Sequence, residues 1–209
     1  MKIIFEDARL IVVDKACGEI VVVGRNSKEK PLIKILWEKF GQPVYPVHRL
    51  DKETSGIVVF ARDPETQRRL SRLFETRQIK KTYLALVDGK VKGEGRIETP
   101  LKLFGSGRTG VAKAKEGKPS LTRYRVLKSG ERASFLEISP ETGRRHQIRA
   151  HLYSIGHPIL GDSLYGHSLM TAPRLMLHAF RISIPKESWP DFEAPLPQDF
   201  EDFNLDFLS

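Results

Sequence analysis

Short apolar runs bounded by polar turns dominate the hydrophobic pattern of this chain. Residues 2–5 and 10–14 predict two brief strands and a hairpin-like start to the fold. The β-branched run at residues 57–60 predicts a buried strand. Four later segments also have strand patterns, at residues 80–87, 121–127, 133–139 and 175–184. A Ser-Gly-Glu turn separates the second and third of these.

Two segments show the helical period of 3.6 residues and carry end signals. The first starts at Pro31 and ends at Gly41, where a left-handed cap is favoured. The second follows Asp63 and Pro64, an N-cap residue and the residue best suited to the first helical position, and is predicted to reach about Arg77. Arginines on its polar faces could contact phosphate, although a solvated surface explains them equally well. They are Arg68, Arg69, Arg72 and Arg77.

A third helix is predicted over residues 141–152. Thr142 or a neighbour would cap its start, and Gly156 would stop it. Arg145 and Arg149 are four residues apart, so they would share one face of this helix.

Two loop predictions complete the pattern. Asp88-Gly89 is a strong short hairpin signal directly after the strand at residues 80–87. Residues 105–119 are rich in Gly and Lys and predict a mobile, cationic loop. Its GSGRTG segment spells the dinucleotide-binding fingerprint, but Gly117 and Pro119 interrupt the helix that should follow, so we reject that interpretation.

The order of these elements predicts the fold class. Strands outnumber helices, no repeat of fixed period is visible, and there is no regular βαβ alternation. We therefore expect an α+β fold with a mixed, largely antiparallel central sheet and flanking helices. Residues 1–186 would form a single domain. Residues 187–209 would form a mostly extended, Pro-containing tail that packs on the domain or extends from it.

Charge separates the tail from the rest of the chain. Residues 187–209 hold seven acidic residues and no Lys or Arg, so the tail carries −7; since the whole chain carries +9, residues 1–186 carry +16. Such a body attracts polyanions through steering and counterion release, and nucleic acid is the commonest of them. A solvated basic surface or anionic lipid would also fit this charge. No basic amphipathic helix with aromatic anchors favours lipid.

Composition disfavours several kinds of protein and site. No run approaches the ~18 apolar residues of a membrane span, and residues 1–13 contain two acidic residues that a signal peptide does not tolerate. We expect a cytoplasmic protein with no membrane association. Cys17 is the single cysteine, which excludes an internal disulfide and a zinc site built on thiolates. His146 and His151 are five residues apart and lack the metalloprotease glutamate, so no metal site is expected.

One loop combines charged side chains with a turn, as a reactive site requires. In the sequence HRLDKETSG, residues 48–56, an acid lies between two bases and a buried strand follows. The Thr-Ser-Gly turn would present Asp51 from the edge of a core. The alternative is structural, because Asp51 could simply fix the loop by pairing with Arg49 or Lys52.

Four motifs together resemble, in order and spacing, the RluA-type family of RNA pseudouridine synthases. They are HRLDKETSG (48–56), KTYLALV (81–87), TGRRHQIRAHL with GHPILGD (142–152 and 156–162), and the weaker LMLHA (175–179). The resemblance covers nearly the whole chain. It implies the pseudouridine synthase fold and an isomerase that converts uridine in RNA to pseudouridine.

The resemblance also implies three catalytic roles. Asp51 would be the carboxylate that acts at the ribose of the target uridine, either as a nucleophile on C1′ or as a base at C2′. Tyr83 would stack on the uracil ring and accept the C5 proton, directly or through water. Arg149 would pair with Asp51, since a fixed guanidinium offsets the desolvation that raises the pKa of an enclosed carboxyl.

Six further residues are implied to bind the substrate: His48, Arg49, Thr54, Arg144, His146 and Leu177. Arg49 would help to fill the gap left by an extruded base, with His48 beside it. The isomerisation consumes nothing, so no cofactor is expected. The expected partner is structured ribosomal or transfer RNA with the uridine in a loop or bulge, where extrusion costs least. We expect the protein to be a monomer.

The sequence departs from the family at two points. Ala16 replaces the proline of a Lys-Pro-x-Gly turn, and the motifs start too early for a separate N-terminal RNA-binding domain. Target selection is therefore expected from this domain, residues 105–119 or a partner.

Two rival functions accompany this prediction. The first is a catalytically silent RNA-binding or RNA-folding module of the same fold. The presence of Asp51, Tyr83 and Arg149 together argues against it. The second is a nucleoside hydrolase or glycosidase, which needs a second carboxylate to protonate the leaving group. Glu53 and Asp162 are the nearby candidates.

Overall fold

A computed structural model describes residues 1–23, 29–105, 107–113, 115–166, 172–185 and 187–203. The chain divides into two units, each with its own hydrophobic core. The first unit is Met1–Lys80 with Ala179–Pro195. The second unit is Lys81–His178 with the described residues from Leu196.

Twelve strands and four helices lie within the described residues. The strands are β1 (Lys2–Glu6), β2 (Leu10–Lys15), β3 (Tyr45–Pro46), β4 (Ser55–Ala61), β5 (Lys80–Asp88), β6 (Glu94–Ile97), β7 (Leu101–Leu103), β8 (Thr109–Val111), β9 (Thr122–Ser129), β10 (Ala133–Pro140), β11 (Leu177–Ser183) and β12 (Phe192–Glu193). The helices are α1 (Leu32–Phe40), α2 (Pro64–Glu75), α3 (Gln147–Ser154) and α4 (Gln198–Glu201).

The first unit is built around β4. β1 and β2 form the predicted opening hairpin, and β2 pairs antiparallel with β4. All seven residues of β4 are buried, as its unbroken apolar run predicts. The short strand β3 also pairs with β4, and β12 pairs with β11. The loop that carries Asp51 therefore leads directly into the central strand of this unit.

Both helices of the first unit have the predicted ends. α1 stops at Gly41, whose φ of 67° is left-handed. α2 is capped by Asp63, whose side chain accepts a hydrogen bond from the Thr66 backbone N–H at 2.8 Å. A proline is the first residue of α2, and the helix ends two residues earlier than predicted.

The second unit contains an antiparallel sheet in the order β5, β10, β9, β6. The predicted turn joins β9 to β10. The hairpin predicted at Asp88-Gly89 is wrong, because β5 pairs with β10 while β6 pairs with β9. The Gly89 N–H instead donates to the Arg132 carbonyl oxygen at 2.8 Å. The local turn signal marks the end of β5, but distant packing selects its partner.

Two other segments of the second unit differ from the prediction. Residues 105–119 contain β8, which pairs with β7 in a two-stranded ribbon, so this part is a strand and not a loop. α3 begins at Gln147 and not near Thr142, because the Thr142 hydroxyl donates to the Gln147 side-chain oxygen at 2.6 Å. Arg145 consequently precedes the helix and does not share a helical face with Arg149.

The C-terminal segment contributes to both cores. In the first unit Trp189 and Phe192 are buried, and in the second unit Phe200 is buried on α4. Apart from α4, the described part of the segment has no helix, as its prolines predicted. Residues 204–209 of the predicted tail, and residues 106 and 114 of the predicted loop, lie outside the described residues.

The many strands and few helices confirm the predicted α+β class, and the strand registers are antiparallel in the pairs described above. Among the described helices, none is long and apolar enough to span a membrane. The described residues also contain no group of three His, Cys, Asp or Glu side chains that could hold a metal ion.

Candidate active site

The loop that carries Asp51 is anchored where it enters β4. The Thr54 N–H donates to the Asp51 carbonyl oxygen at 3.1 Å, and both Thr54 and Ser55 are buried. Gly56 follows with a φ of 108°, and a Cβ atom on it would lie 2.3 Å from the Ala179 carbonyl oxygen. Only glycine fits at this position. The half-buried Asp51 therefore stands on a turn whose downstream end is fixed.

A buried lysine holds the same loop through its backbone. Lys15 is fully buried at the end of β2, and its ammonium donates to the carbonyl oxygens of Ala16 at 2.9 Å and Lys52 at 3.0 Å. The Lys52 carbonyl also accepts from the Gly18 N–H at 2.9 Å. Two donors thus hold the residue that follows Asp51, which restricts where the Asp51 carboxylate can lie.

The role of Lys15 in holding this loop was not predicted from the sequence. The visible signal was a lysine that closes an apolar strand immediately before a glycine turn. A lysine at such a position must either reach solvent or find acceptors within the fold.

His48 is tied to β4 and α2 in the first unit. Its Nε2 accepts a hydrogen bond from the Val59 N–H at 3.2 Å, so the proton of a neutral ring is on Nδ1. The ring stacks on Phe74 with 4.7 Å between centroids. Arg49, the next residue, is exposed. The substrate contacts of His48, Arg49 and Thr54 stay predictions, and all three lie on the loop of Asp51.

In the second unit, Tyr83 lies on β5 opposite Ile138 of β10. It is half-buried and packs against the core of this unit. Leu177, the first residue of β11, is buried in the same core. The contacts of Tyr83 and Leu177 with substrate stay predictions.

Arg149 has a bidentate acidic partner in its own unit. Its Nε and Nη2 donate to the two carboxylate oxygens of Asp162, each at 2.7 Å, and both side chains are buried. The guanidinium also lies 5.3 Å from the centre of the Tyr165 ring. These contacts fix the plane of the guanidinium. The predicted pairing of Arg149 with Asp51 stays a prediction.

Asp162 acts only as an acceptor of hydrogen bonds in this arrangement. Besides the two bonds from Arg149, its Oδ1 accepts from the backbone N–H groups of Leu164 and Tyr165, each at 2.9 Å. A carboxylate with these donors is not a proton donor for a leaving group. Asp162, one of the two candidates for the second carboxylate of a glycosidase, therefore has a structural role in this unit.

A buried amide organises the start of α3. The Gln147 oxygen accepts from the Thr142 hydroxyl and from the Arg144 N–H at 3.0 Å. Its nitrogen donates to the Leu121 carbonyl oxygen and to the Thr122 hydroxyl, both at 3.0 Å. All four hydrogen-bonding positions of the amide are used, so Gln147 fixes where the helix of Arg149 begins.

The same network continues to a buried histidine. His151 Nε2 donates to the Thr99 carbonyl oxygen at 3.0 Å, so Nδ1 of the neutral ring accepts from the Thr122 hydroxyl at 2.8 Å. Burial lowers the pKa of His151, although the bond to Thr99 opposes this shift. His151 is thus a neutral, buried structural residue of α3.

His146 directly precedes α3 in a left-handed conformation, with a φ of 52°. Its Nδ1 is 3.2 Å from the Tyr165 hydroxyl, which also accepts from the Thr109 N–H at 2.8 Å. Burial raises the pKa of Tyr165, so the hydroxyl keeps its proton. Arg144 is half-buried, and its Nη2 is 3.4 Å from the Pro119 carbonyl oxygen.

Comparison with known protein families gives one clear match. A sequence model described as RNA pseudouridylate synthase matches residues 9–154. This range contains Asp51, Tyr83 and Arg149.

Three curated relatives are similar over most of this chain. The ribosomal large subunit pseudouridine synthase D of Nitrosomonas europaea is 38% identical over 95% of this chain and 63% of its own length. The tRNA pseudouridine synthase C of Pasteurella multocida is 37% identical over 87% of this chain and 84% of its own length. The dual-specificity RNA pseudouridine synthase RluA of Yersinia pestis is 36% identical over 94% of this chain and 96% of its own length.

A solved structure shares the fold. Human RNA pseudouridylate synthase domain containing 4 superposes with a TM-score of 0.80 at 26% identity, and the match covers 96% of this chain and 90% of that one. The pseudouridine synthase fold predicted from the motifs is confirmed.

Proposed function

Because the chain belongs to the RNA pseudouridylate synthase family, a family of isomerases, we propose that it converts specific uridines of ribosomal or transfer RNA to pseudouridine. The RluA-type resemblance seen in the motifs is confirmed by these relatives. The observation that carries the proposal is the family match over residues 9–154, which includes all three predicted catalytic residues.

Asp51 acts at the ribose of the target uridine, as a nucleophile on C1′ or as a base at C2′. The N1–C1′ bond breaks, a C5–C1′ bond forms, C5 loses a proton and N1 gains one, so no atom or electron is left over. The fixed loop supports this role, because a carboxylate on a loop whose backbone is held at Lys52 and Gly56 needs little reorganisation before it reacts.

Tyr83 stacks on the uracil and receives the C5 proton, directly or through water. An aromatic face is worth ~1–3 kcal/mol per stacked base and tolerates rotation of the base in its plane, as this isomerisation requires. Arg149 offsets the charge of Asp51. Its bidentate pair with Asp162 supports the role, because it orients the guanidinium before substrate binds.

The RNA must present its uridine outside the base stack, because C1′ and C5 are not accessible within a helix. Extrusion costs a few kcal/mol and least in loops and bulges, which favours such targets. Arg49 is exposed on the Asp51 loop and supports the gap left by the extruded base. The +16 charge of residues 1–186 supplies the general attraction to RNA.

Release of tritium from RNA labelled at C5 of uridine tests the activity. The substrates are unmodified transcripts of transfer RNA and large-subunit ribosomal RNA. Asp51→Asn should abolish release while RNA affinity stays within a few-fold of the wild-type value. Glu53→Gln, which changes the other acid of the same loop, is the matched control and should release tritium normally.

Each alternative has a distinct result in this assay. Normal turnover by Asp51→Asn would refute the assignment of Asp51. A wild-type protein that binds the transcripts without releasing tritium would indicate the silent RNA-binding module. Free uracil instead of pseudouridine among the products would indicate a hydrolase.

A further inference from the structure

Lys81 is a half-buried cation that has no anionic partner among the residues that the structure describes. It lies on β5 in the second unit, and burial lowers the pKa of its ammonium. Across the described part of the chain, no carboxylate or other acceptor pairs with its side chain. By contrast, the buried cation Arg149 is paired with Asp162, and the ammonium of Lys15 has two carbonyl acceptors.

Lys81 lies against a segment that leads into two arginines. Its Nζ lies 3.9 Å from the position that a Cβ atom on Gly143 would occupy. Gly143 is exposed and is followed by Arg144 and Arg145. The Nε of Arg144 is buried and has no hydrogen-bond partner in the described residues. The acid of this segment, Glu141, is bound to Arg123, so it does not neutralise the lysine.

A partly desolvated ammonium with no counter-charge reduces stability. Ionisable groups perturbed by burial cluster at functional sites, and the ligand that complements a cation there is an anion. Lys81 and Tyr83 are two residues apart on one strand, so their side chains leave the same face about 7 Å apart. An anion on Lys81 would therefore lie near a base stacked on Tyr83.

We infer that Lys81, with the adjacent segment Gly143–Arg144, binds a backbone phosphate of the RNA next to the target uridine. The inference rests on the proposed function for its RNA partner. A phosphodiester fits because it is a compact anion on the same polymer as the base, and a single ammonium binds it as a point charge. Lys81 positions the substrate in this arrangement and takes no part in bond making or breaking.

The test compares Lys81→Met and Lys81→Arg with Lys80→Met in the full chain. Lys80 is the exposed neighbour on β5 whose side chain points to the opposite face of the strand. Fluorescence anisotropy gives the affinity for unmodified transfer RNA transcript between about 50 and 200 mM salt. Lys81→Met should make the slope of log affinity against log salt shallower by about 0.7 to 0.9. Lys81→Arg and Lys80→Met should keep the wild-type slope.

Melting temperature and steady-state kinetics separate binding from a structural role. Lys81→Met should melt above the wild type, because the uncompensated charge is gone, and its KM should rise about tenfold with kcat within about threefold. An unchanged slope and KM would overturn the inference. So would an equal change in Lys80→Met, or a lower melting temperature in Lys81→Met.

Failure of the proposed reaction would look different. A wild-type protein that binds RNA with a steep salt dependence but makes no pseudouridine would refute the activity. The slopes of the Lys81 variants would still decide the phosphate site in that case.

Discussion

Arg149 and Asp162 form a buried bidentate ion pair, with both N to O distances equal to 2.7 Å. Asp162 also accepts hydrogen bonds from two backbone N–H groups of the turn that follows it. The pair therefore ties the turn after residue 161 to the helix that carries the proposed catalytic arginine. We expect both the stability of the protein and the proposed catalysis to depend on this pair, in ways that variants can separate.

Asp162→Asn should reduce the free energy of unfolding by about 3–5 kcal/mol, because it leaves a buried guanidinium without its charge partner. Urea unfolding measures this loss. The double variant Arg149→Met/Asp162→Leu should regain part of the stability but none of the activity, since it removes both charges together but leaves two backbone N–H groups without an acceptor. Wild-type stability in Asp162→Asn would contradict the importance of the pair.

Gly56→Ala should destabilise the protein by more than about 2 kcal/mol, because its Cβ would meet the Ala179 carbonyl oxygen and its φ is left-handed. Gly105→Ala is the control, since a Cβ there would have no neighbour within 4 Å. Thermal unfolding of both variants is the measurement. Similar melting temperatures would show that β4 can shift to make room.

Lys15→Met should lower kcat about 100-fold with less than a threefold change in KM, because the Asp51 loop loses its anchor at the Lys52 carbonyl. Tritium release well below the melting temperature is the measurement. Lys34→Met on α1 removes an exposed lysine and should have no effect. An unchanged kcat in Lys15→Met would mean that the other contacts of the loop position Asp51 alone.

The free energy of unfolding should decrease as the pH is lowered below about 6.5, because of His151. Burial lowers its pKa in the folded protein, so the unfolded chain binds the proton more readily. The contribution of neutral His151 is complete above the unfolded pKa and is lost as pH falls toward the folded one, at up to ~1.4 kcal/mol per pH unit.

Urea unfolding between about pH 5 and 7.5 checks this, and His151→Asn should remove the dependence. Asp63 does not interfere in that range. The hydrogen bonds from Thr66 lower the pKa of its carboxyl, so its contribution is lost only below about pH 4. If the free energy of unfolding of His151→Asn changed with pH as steeply as that of the wild type, the pH dependence would belong to another group.

The arginines of α2 should differ in their contribution to RNA binding. Arg69 is paired with Glu187, with Nε to Oε1 at 2.6 Å, whereas Arg68 and Arg72 are exposed and have no acidic partner in the part of the chain that the structure describes. If α2 faces RNA, Arg68→Ala and Arg72→Ala should each reduce the salt slope by about 0.9. Arg69→Ala should reduce it less. If all three variants kept the wild-type salt slope, α2 would be excluded from the interface.

The sequence was most informative where the cause of structure is local. Asp63 caps α2 because its side chain accepts a hydrogen bond from a backbone N–H of the first turn. Gly41 ends α1 because glycine readily adopts the left-handed conformation. The motif around Asp51 identified the family because its residues are contiguous. The run that forms most of β4 was equally clear, since residues 57–61 of this buried strand are all apolar.

Contacts between distant residues were not predictable in the same way. Thr142 was expected to cap α3, but its hydroxyl donates to the Gln147 side chain and the helix starts later. The partner of β5 is chosen by packing across the second unit, so it could not be predicted from the turn signal at residue 88. Lys15 and Asp162 gained their roles from carbonyl and guanidinium groups that lie far along the chain.

The burial of Trp189 and Phe200 has a consequence for folding during synthesis on the ribosome. Trp189 belongs to the core of the first unit, although that unit begins at the N-terminus, and Phe200 belongs to the core of the second. N-terminal domains usually fold first as a chain emerges. Here neither core can be completed until almost all of the described chain has been translated, so nascent chains of both units should need protection from aggregation until then.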